Sequence, residues 1–448
     1  MKYFSELLFD GEKWLNDVYF EVDEKGLISK FQENSKNKVN NLGVVIPGFI
    51  NCHSHSFQRA MSALAEKVHD FNSSDSFWTW REAMYDLVEK LDQKSFSIIA
   101  DFVYMDMLEA GFTTVGEFHY LHKDIIESDL TLMGETIINS AFSVGIRLSL
   151  FPVLYQQGGI NQELEDKQLR FNLSTDQMIK YFDEISLKVK DGNNLGLSIH
   201  SLRAVDQENM HRLVKFQKEK DCMLHIHISE QPKEVEEIKE AYKKRPVEYL
   251  FDQFEVGKKW CLIHATHVNE NEVKLMAKSG CVVGICPITE ANLGDGIFPL
   301  VDYLNLGGTF AIGSDSHVRV DALEELRLLE YSQRYRDLKR NRIALKEFDG
   351  SVGKTLISKT YKGGAKAVDL PVGTLKVGNY ADFLVLNEKS PSVRLKRVDS
   401  LMDEIIFNSS SNIINDVYVC GIKKVSNSKH INKQKIEDQY VSILKSIS

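Results

Sequence analysis

The chain has 448 residues, a net charge of −9 from 55 Lys and Arg against 64 Asp and Glu, and 43% hydrophobic content. At roughly 150 residues per domain that length holds about three domain equivalents, and the ordinary globular composition excludes disordered, collagen-like and low-complexity classes. The acidic balance argues against a nucleic-acid or anionic-membrane surface, so an anionic ligand must be held by a few placed cations.

The six cysteines, Cys52, Cys222, Cys261, Cys281, Cys286 and Cys420, form no C-x-x-C pair, which points to a reducing cytoplasm rather than a zinc knuckle or a disulfide scaffold. Glu6, Asp10 and Glu12 interrupt the N-terminus before a secretory apolar region can develop. No apolar run approaches the ~20 residues of a membrane span. The expectation is a cytoplasmic protein with neither nucleic acid nor membrane among its partners.

In chain order, residues 1–45 alternate apolar and polar, with turn signals at Asp10-Gly11 and Lys25-Gly26, and read as short antiparallel strands. From 46 to 368 the pattern changes to short apolar runs separated by helical segments. Eight runs are countable, at 44–50, 113–118, 146–154, 195–201, 223–229, 261–267, 281–287 and 309–315. Eight is the strand number of a closed (β/α)8 barrel of the TIM type. Ser95 to Ala110 and Ala322 to Leu338 carry apolar residues at helical spacing. The stretch from Gln58 to Thr113 is too long for a simple connection and predicts an active-site loop before its helix. From 369 to 448 the strand-like alternation returns, at 373–375, 382–386 and 414–419. The two chain ends are therefore expected to share one small β-sandwich, followed by a peripheral helix or tail from about Ser426.

Chemistry-bearing residues gather at the C-terminal ends of these runs, the barrel face on which active sites are built. The first run ends Asn51-Cys52-His53-Ser54-His55. Residues at i and i+2 of an extended chain point the same way, so His53 and His55 can share one metal. Alone, an H-x-H is equally compatible with a polar strand end. The fifth run ends His225-Ile226-His227-Ile228-Ser229-Glu230, the sixth carries His264-Ala265-Thr266-His267, and the eighth closes Gly313-Ser314-Asp315-Ser316-His317. A catalytic divalent site needs a few N and O ligands and one open position. His53, His55, His227 and Asp315 are read as the direct ligands. Glu230, just past His227, is placed to handle protons, and His264 to hydrogen-bond water or developing charge.

These four strand ends, PGFINCHSH, HIHISE, LIHATH and GSDSH, resemble the amidohydrolase superfamily over nearly the whole chain. The spacing His227-x-x-Glu230 is similar to its deaminase branch, and no lysine is placed as the bridging carbamate of its two-metal members. The resemblance implies one divalent ion, zinc, with iron as the alternative that an N/O donor set admits, and it implies a homodimer.

Four more segments, 56–60, 77–82, 117–120 and 200–205, are similar to the formimidoylglutamate deiminase family within that superfamily. That resemblance implies that Gln58, Arg81, Tyr120, His200 and Arg203 contact the substrate. A small dianionic substrate with two glutamate carboxylates calls for planar bidentate donors, for which Arg is suited. Each assignment has a plainer rival. Arg81 stands among Phe77, Trp78 and Trp80 and could stack on an indole in a subunit contact, and Arg203 could pair with Asp206 on a surface turn. His119 and His267 read as structural, and Cys52 and Cys286 as small hydrophobes.

The activity this implies is hydrolytic deimination of N-formimidoyl-L-glutamate in histidine degradation. One alternative keeps the fold and metal but takes a cyclic amidine, purine or pyrimidine base such as guanine or cytosine, for which paired arginines have little purpose. The other is a catalytically dead scaffold, which the retained ligands and acid/base group argue against.

Overall fold

The computed structural model describes residues 1–61, 66, 76–126, 128–409 and 413–447. Eight strands, at Phe49–Ser54, Phe112–His119, Arg147–Leu154, Leu197–Ile199, Leu224–Ile228, Trp260–His264, Val282–Ile285 and Thr309–Ile312, close the central sheet, and a ninth of two residues, Asn194–Leu195, pairs with the third of them. The eight are numbered one to eight below. Their residues are almost entirely buried, as parallel strands packed on both faces require. Each pairs in parallel with the next, and the first pairs with both the second and the eighth, so the cylinder closes. The expected eight-stranded barrel is present, with helices between its strands.

Helices at 95–110 and 322–338 were expected, and they run from Gln93 to Glu109 and from Ala322 to Asp337. The first starts where Asp92 accepts a hydrogen bond from the Ser95 amide at 2.8 Å, an N-cap that satisfies a donor the helix leaves free. A further helix, Val352–Val368, lies against the eighth strand. A side chain at its Gly363 would fall 1.7 Å from the Phe310 carbonyl oxygen, so glycine permits the close approach.

The run at 44–50 proves to be two strands. Val44–Pro47 pairs with Lys2–Phe9 and Phe383–Leu386, while Phe49–Ser54 enters the barrel. The break falls at Gly48, where any Cβ would lie 2.1 Å from Thr113 Oγ1. Continuous hydrophobicity conceals this change of sheet, because both halves are buried.

The two chain ends do come together as expected, and their strands form one continuous sheet. Its eight strands run in the order Lys429–His430, Ile422–Ser426, Ile414–Val419, Phe383–Leu386, Val44–Pro47, Lys2–Phe9, Trp14–Val22 and Ile28–Gln32. Successive residues face opposite sides. Leu8, Val45, Phe383 and Val385 thus pack into a core of their own with Phe20, and Leu7, Phe9, Val44, Ile46 and Leu384 join the main core. The C-terminal segment is a docked helix, Lys433–Ile447, whose Tyr440 ring stacks on Phe102 at 3.8 Å.

Of the loop expected after Gln58, residues 56–61 form a short 3-10 turn, and 62–65 and 67–75 lie outside the described residues. The helix Phe77–Val88 follows. No described helix is long and apolar enough to cross a membrane.

Candidate active site

Four strand ends bring imidazole and carboxylate groups to one point. His53 Nε2 lies 3.1 Å from His55 Nε2, 3.0 Å from His227 Nε2 and 3.3 Å from Asp315 Oδ1. His55 Nε2 is 3.2 Å from the same carboxylate oxygen. Two overlapping groups of potential donors emerge, His53 with His55 and His227, and His53 with His264 and Asp315.

Proton bookkeeping shows what this cluster lacks. His55 Nδ1 is 3.0 Å from the Phe118 carbonyl, which can only accept, so Nδ1 carries a proton and Nε2 is the nitrogen turned to the cluster. Burial holds His53 neutral, lowering its pKa to about 3, and likewise keeps His227 well below the usual histidine range. Burial pulls the Asp315 carboxyl upward, but His53 and His55 hold it well below the usual range. Lone pairs thus converge with too few protons between them, an arrangement that a cation relieves. Three imidazoles and a carboxylate fit a divalent ion of borderline softness.

The backbone is bent to make this happen. At or just past the ends of the fifth, sixth and eighth strands, Ser229, His264, Ala265 and Asp315 have φ of 54°, 67°, 50° and 48°, a left-handed region costing on the order of 1–3 kcal/mol for such residues. The Asp315 amide donates to the His53 carbonyl at 3.0 Å, and the His55 amide to the Asp315 carbonyl at 3.2 Å, tying the first and eighth strand ends together. Beneath them, Glu117 at the end of the second strand accepts from Ser54 Oγ at 2.5 Å and the Ser56 amide at 2.8 Å.

Glu230 and His264 face the cluster from its open side. Glu234 accepts from the amides of Ser229 and Glu230 at 2.9 and 3.0 Å, which fixes the turn. Burial raises the Glu230 carboxyl to about 7. His264 Nε2 lies 3.8 Å from both Glu230 Oε1 and Asp315 Oδ2, and Nδ1 lies 3.3 Å from Glu290 Oε1. Burial opposes a charge on His264, yet these carboxylates outweigh it and hold its pKa well above the usual value.

Gln58, Arg81, Tyr120, His200 and Arg203 all line one cavity with His55, His227, Glu230, His264 and Asp315. Gln58 Nε2 donates to Tyr120 Oη at 2.8 Å, and the His200 ring stands edge-on to His227 at 5.1 Å. Arg81 does stack on an indole, but on Trp78 of its own chain, with its guanidinium carbon 4.6 Å from the ring centre, and it still lines the cavity. Arg203 does not pair with Asp206. Asp206 instead caps the helix Gln207–Lys220 by accepting from the Asn209 amide, and Arg203 Nη1 lies 3.6 Å from Glu237. His119 packs on Phe96, and His267 donates to the Asp295 carbonyl at 2.7 Å, both away from the donor cluster. Cys52 and Cys286 sit in an apolar cluster with Phe151 and Met223.

Glu234, Tyr155 and Glu290 are among the residues at the site that the motifs do not mark. Tyr155 packs edge-on to His200 at 4.4 Å, and its place directly after the third strand was a usable signal. Glu290 lies on the helix Pro287–Leu293. It has no motif to mark it, since its contact with His264 depends on how that helix leaves the barrel.

Residues 44–423 match the amidohydrolase family profile. The chain is 39% identical to a formimidoylglutamate deiminase of Pseudomonas aeruginosa, covering 98% of each. It is 24% identical to a 5'-deoxyadenosine deaminase of Methanopyrus kandleri, covering 95% of this chain and 94% of that one. An amidohydrolase from Brucella melitensis, 36% identical, superposes with a TM-score of 0.93 over 100% of this chain and 99% of that one. An adenosine deaminase from Xanthomonas campestris with bound zinc shares the fold at a TM-score of 0.82 and 17% identity, covering 100% of this chain and 98% of that one.

Proposed function

The chain belongs to the amidohydrolase family, and from that membership and the site geometry we propose that it converts N-formimidoyl-L-glutamate and water to N-formyl-L-glutamate and ammonia. One observation carries the choice of substrate: Arg81 and Arg203 open onto the same cavity as Glu230 and the histidine–aspartate cluster. Two guanidinium forks suit a molecule with two carboxylates. The full-length identity to a formimidoylglutamate deiminase supports the same choice.

In this reading His53, His55, His227 and Asp315 hold one divalent ion, zinc ahead of iron, whose Lewis acidity makes water a nucleophile near neutral pH. Glu230 takes the proton from the attacking water and delivers it to the departing nitrogen, for which a carboxyl near 7 is suited. His264, anchored at Nδ1 by Glu290, directs Nε2 toward the developing charge. Gln58, Tyr120 and His200 contact the formimidoyl group, and the arginines hold the carboxylates. Water adds to the formimidoyl carbon with one proton passing through Glu230 to the terminal nitrogen; the hydroxyl proton of the adduct then follows the same route as the C=O bond forms, the C–N bond to that nitrogen breaks, and ammonia leaves.

The reading places the enzyme in histidine degradation in the cytoplasm, where six unpaired cysteines stay reduced. It takes the active form as a homodimer, on the strength of the family resemblance, which sedimentation tests. The deciding experiment is ammonia release by metal-loaded protein from N-formimidoyl-L-glutamate beside guanine and cytosine. Turnover of a base, with none of the glutamate derivative, overturns the proposal.

A further inference from the structure

Trp78 stands outside the substrate cavity yet touches both arginines that line it. The guanidinium carbons of Arg81 and Arg203 lie 4.6 and 5.3 Å from its ring centre, and Lys233 Nζ lies 4.3 Å from it. Arg81 and Arg203 form a partition. Both line the inner cavity and an outer one of about 330 Å³, whereas Trp78 lines only the outer. Each arginine also has a buried Nε without a hydrogen-bond partner among the described residues, and Arg203 Nη1 lies 3.6 Å from Glu237.

We propose that Trp78 is a positioning residue for substrate specificity, holding Arg81 and Arg203 at a fixed separation by cation–π contact without neutralising them. The proposal rests on the preceding reading of a dianionic substrate. A hydrogen-bonded carboxylate would fix a guanidinium equally well, but its charge would then compete with the substrate's; Glu237 stands 3.6 Å from Arg203, beyond hydrogen-bond distance, and Arg81 has no ion pair among the described residues. An aromatic face restrains the cation through its ring quadrupole and leaves the net charge available. A guanidinium already restrained gives up less freedom when it binds a carboxylate. Lys233 on the same ring also lines the outer cavity, where it lies 3.8 Å from Glu237.

The test compares Trp78→Leu, which removes the aromatic face, with Trp78→Phe, which keeps one. Calorimetry measures binding of N-formyl-L-glutamate and of its side-chain amide, N-formyl-L-glutamine, and steady-state assays give kcat and KM for N-formimidoyl-L-glutamate. Trp78→Leu is expected to weaken the dianion about tenfold, the size of one to two cation–π contacts, with a smaller effect on the amide. Its loss appears in KM rather than kcat, and Trp78→Phe recovers most of it. Wild-type preference for the dianion in Trp78→Leu overturns the proposal, as does a Phe variant no better than Leu. A wild-type protein that neither binds nor turns over any N-acylated glutamate overturns the substrate reading itself, a different result from an intact wild type with an indifferent variant.

Discussion

Glu230 Oε1 lies 3.8 Å from His264 Nε2, and their surroundings move the two groups in the same direction, toward protonation. For the carboxyl the cause is burial, which brings it to about 7. An acid with that affinity can both take and return a proton at neutral pH, as a hydrolytic deimination demands of one group.

Glu230→Gln should therefore retain its metal yet lose at least ~10²-fold in turnover, the low end of general acid–base contributions. The pH profile gives a second check. Glu230 must be ionised to accept a proton, so kcat/KM of the wild type should fall as pH drops through about 7, approaching tenfold per unit on the acid side. That limb should be missing from the residual activity of the glutamine variant. A limb of the same midpoint in the variant assigns the ionisation to another group.

The metal assignment separates residues that sit within one small volume. His53→Ala, His55→Ala and Asp315→Ala should each lower bound metal and abolish turnover, because each removes a donor at the point of convergence. His264→Asn should lose activity but keep its metal, since Nδ1 is anchored to Glu290 and Nε2 faces two carboxylates at 3.8 Å. Elemental analysis after dialysis decides. A full metal equivalent in two of the three alanine variants, or an empty site in His264→Asn, shows that the donor set has been misread.

What was legible in the sequence follows one geometric rule. A parallel strand ending at a barrel mouth displays its last residues there, so His53, His55, His227, Glu230, His264 and Asp315 could be placed by finding eight apolar runs and reading their ends. The rule fails where contacts depend on helix trajectories. Glu290 reaches His264 from the helix after the seventh strand, and Trp78 reaches two arginines on different elements. It also fails at Gly48, where one apolar run serves two sheets, because burial on either side leaves the same signature.

If Arg81 and Arg203 hold the two carboxylates, replacing either with Met removes a charge-assisted pair while keeping much of the aliphatic stem. Such a loss amounts to about 2–5 kcal/mol for a desolvated pair, or roughly 30-fold or more in kcat/KM. The informative substrate is the side-chain amide analogue. Wild type should discriminate against it, and the variant at whichever arginine reads that carboxylate should discriminate much less. Equal discrimination by wild type and both variants removes the arginines from that role and returns weight to a cyclic amidine.

The last prediction concerns the joint between barrel and terminal sheet. Arg147, the first residue of the third strand, donates from Nε and Nη2 to the two oxygens of Asp382 at 2.7 and 2.9 Å, and both side chains are buried, 2% and 1% exposed. Its Nη1 donates to the Gly192 carbonyl, the Tyr380 ring covers its face at 3.6 Å, and the Cys420 amide donates to Asp382 at 2.7 Å. With both prongs of the fork committed to Asp382, removing one partner leaves the other charge buried and uncompensated. Asp382→Asn should therefore destabilise the chain by about 3–5 kcal/mol, read as a lower urea midpoint, and Arg147→Lys should also be destabilising because it cannot reproduce the fork. The double variant Arg147→Met/Asp382→Leu buries no charge and should recover part of the loss. Since Arg147 begins its strand at the barrel end opposite the active site, turnover per folded molecule should stay close to wild type in all of them. An unchanged midpoint in Asp382→Asn, or a double variant worse than the sum of its parts, would mean that the sheet is held to the barrel by its apolar face instead.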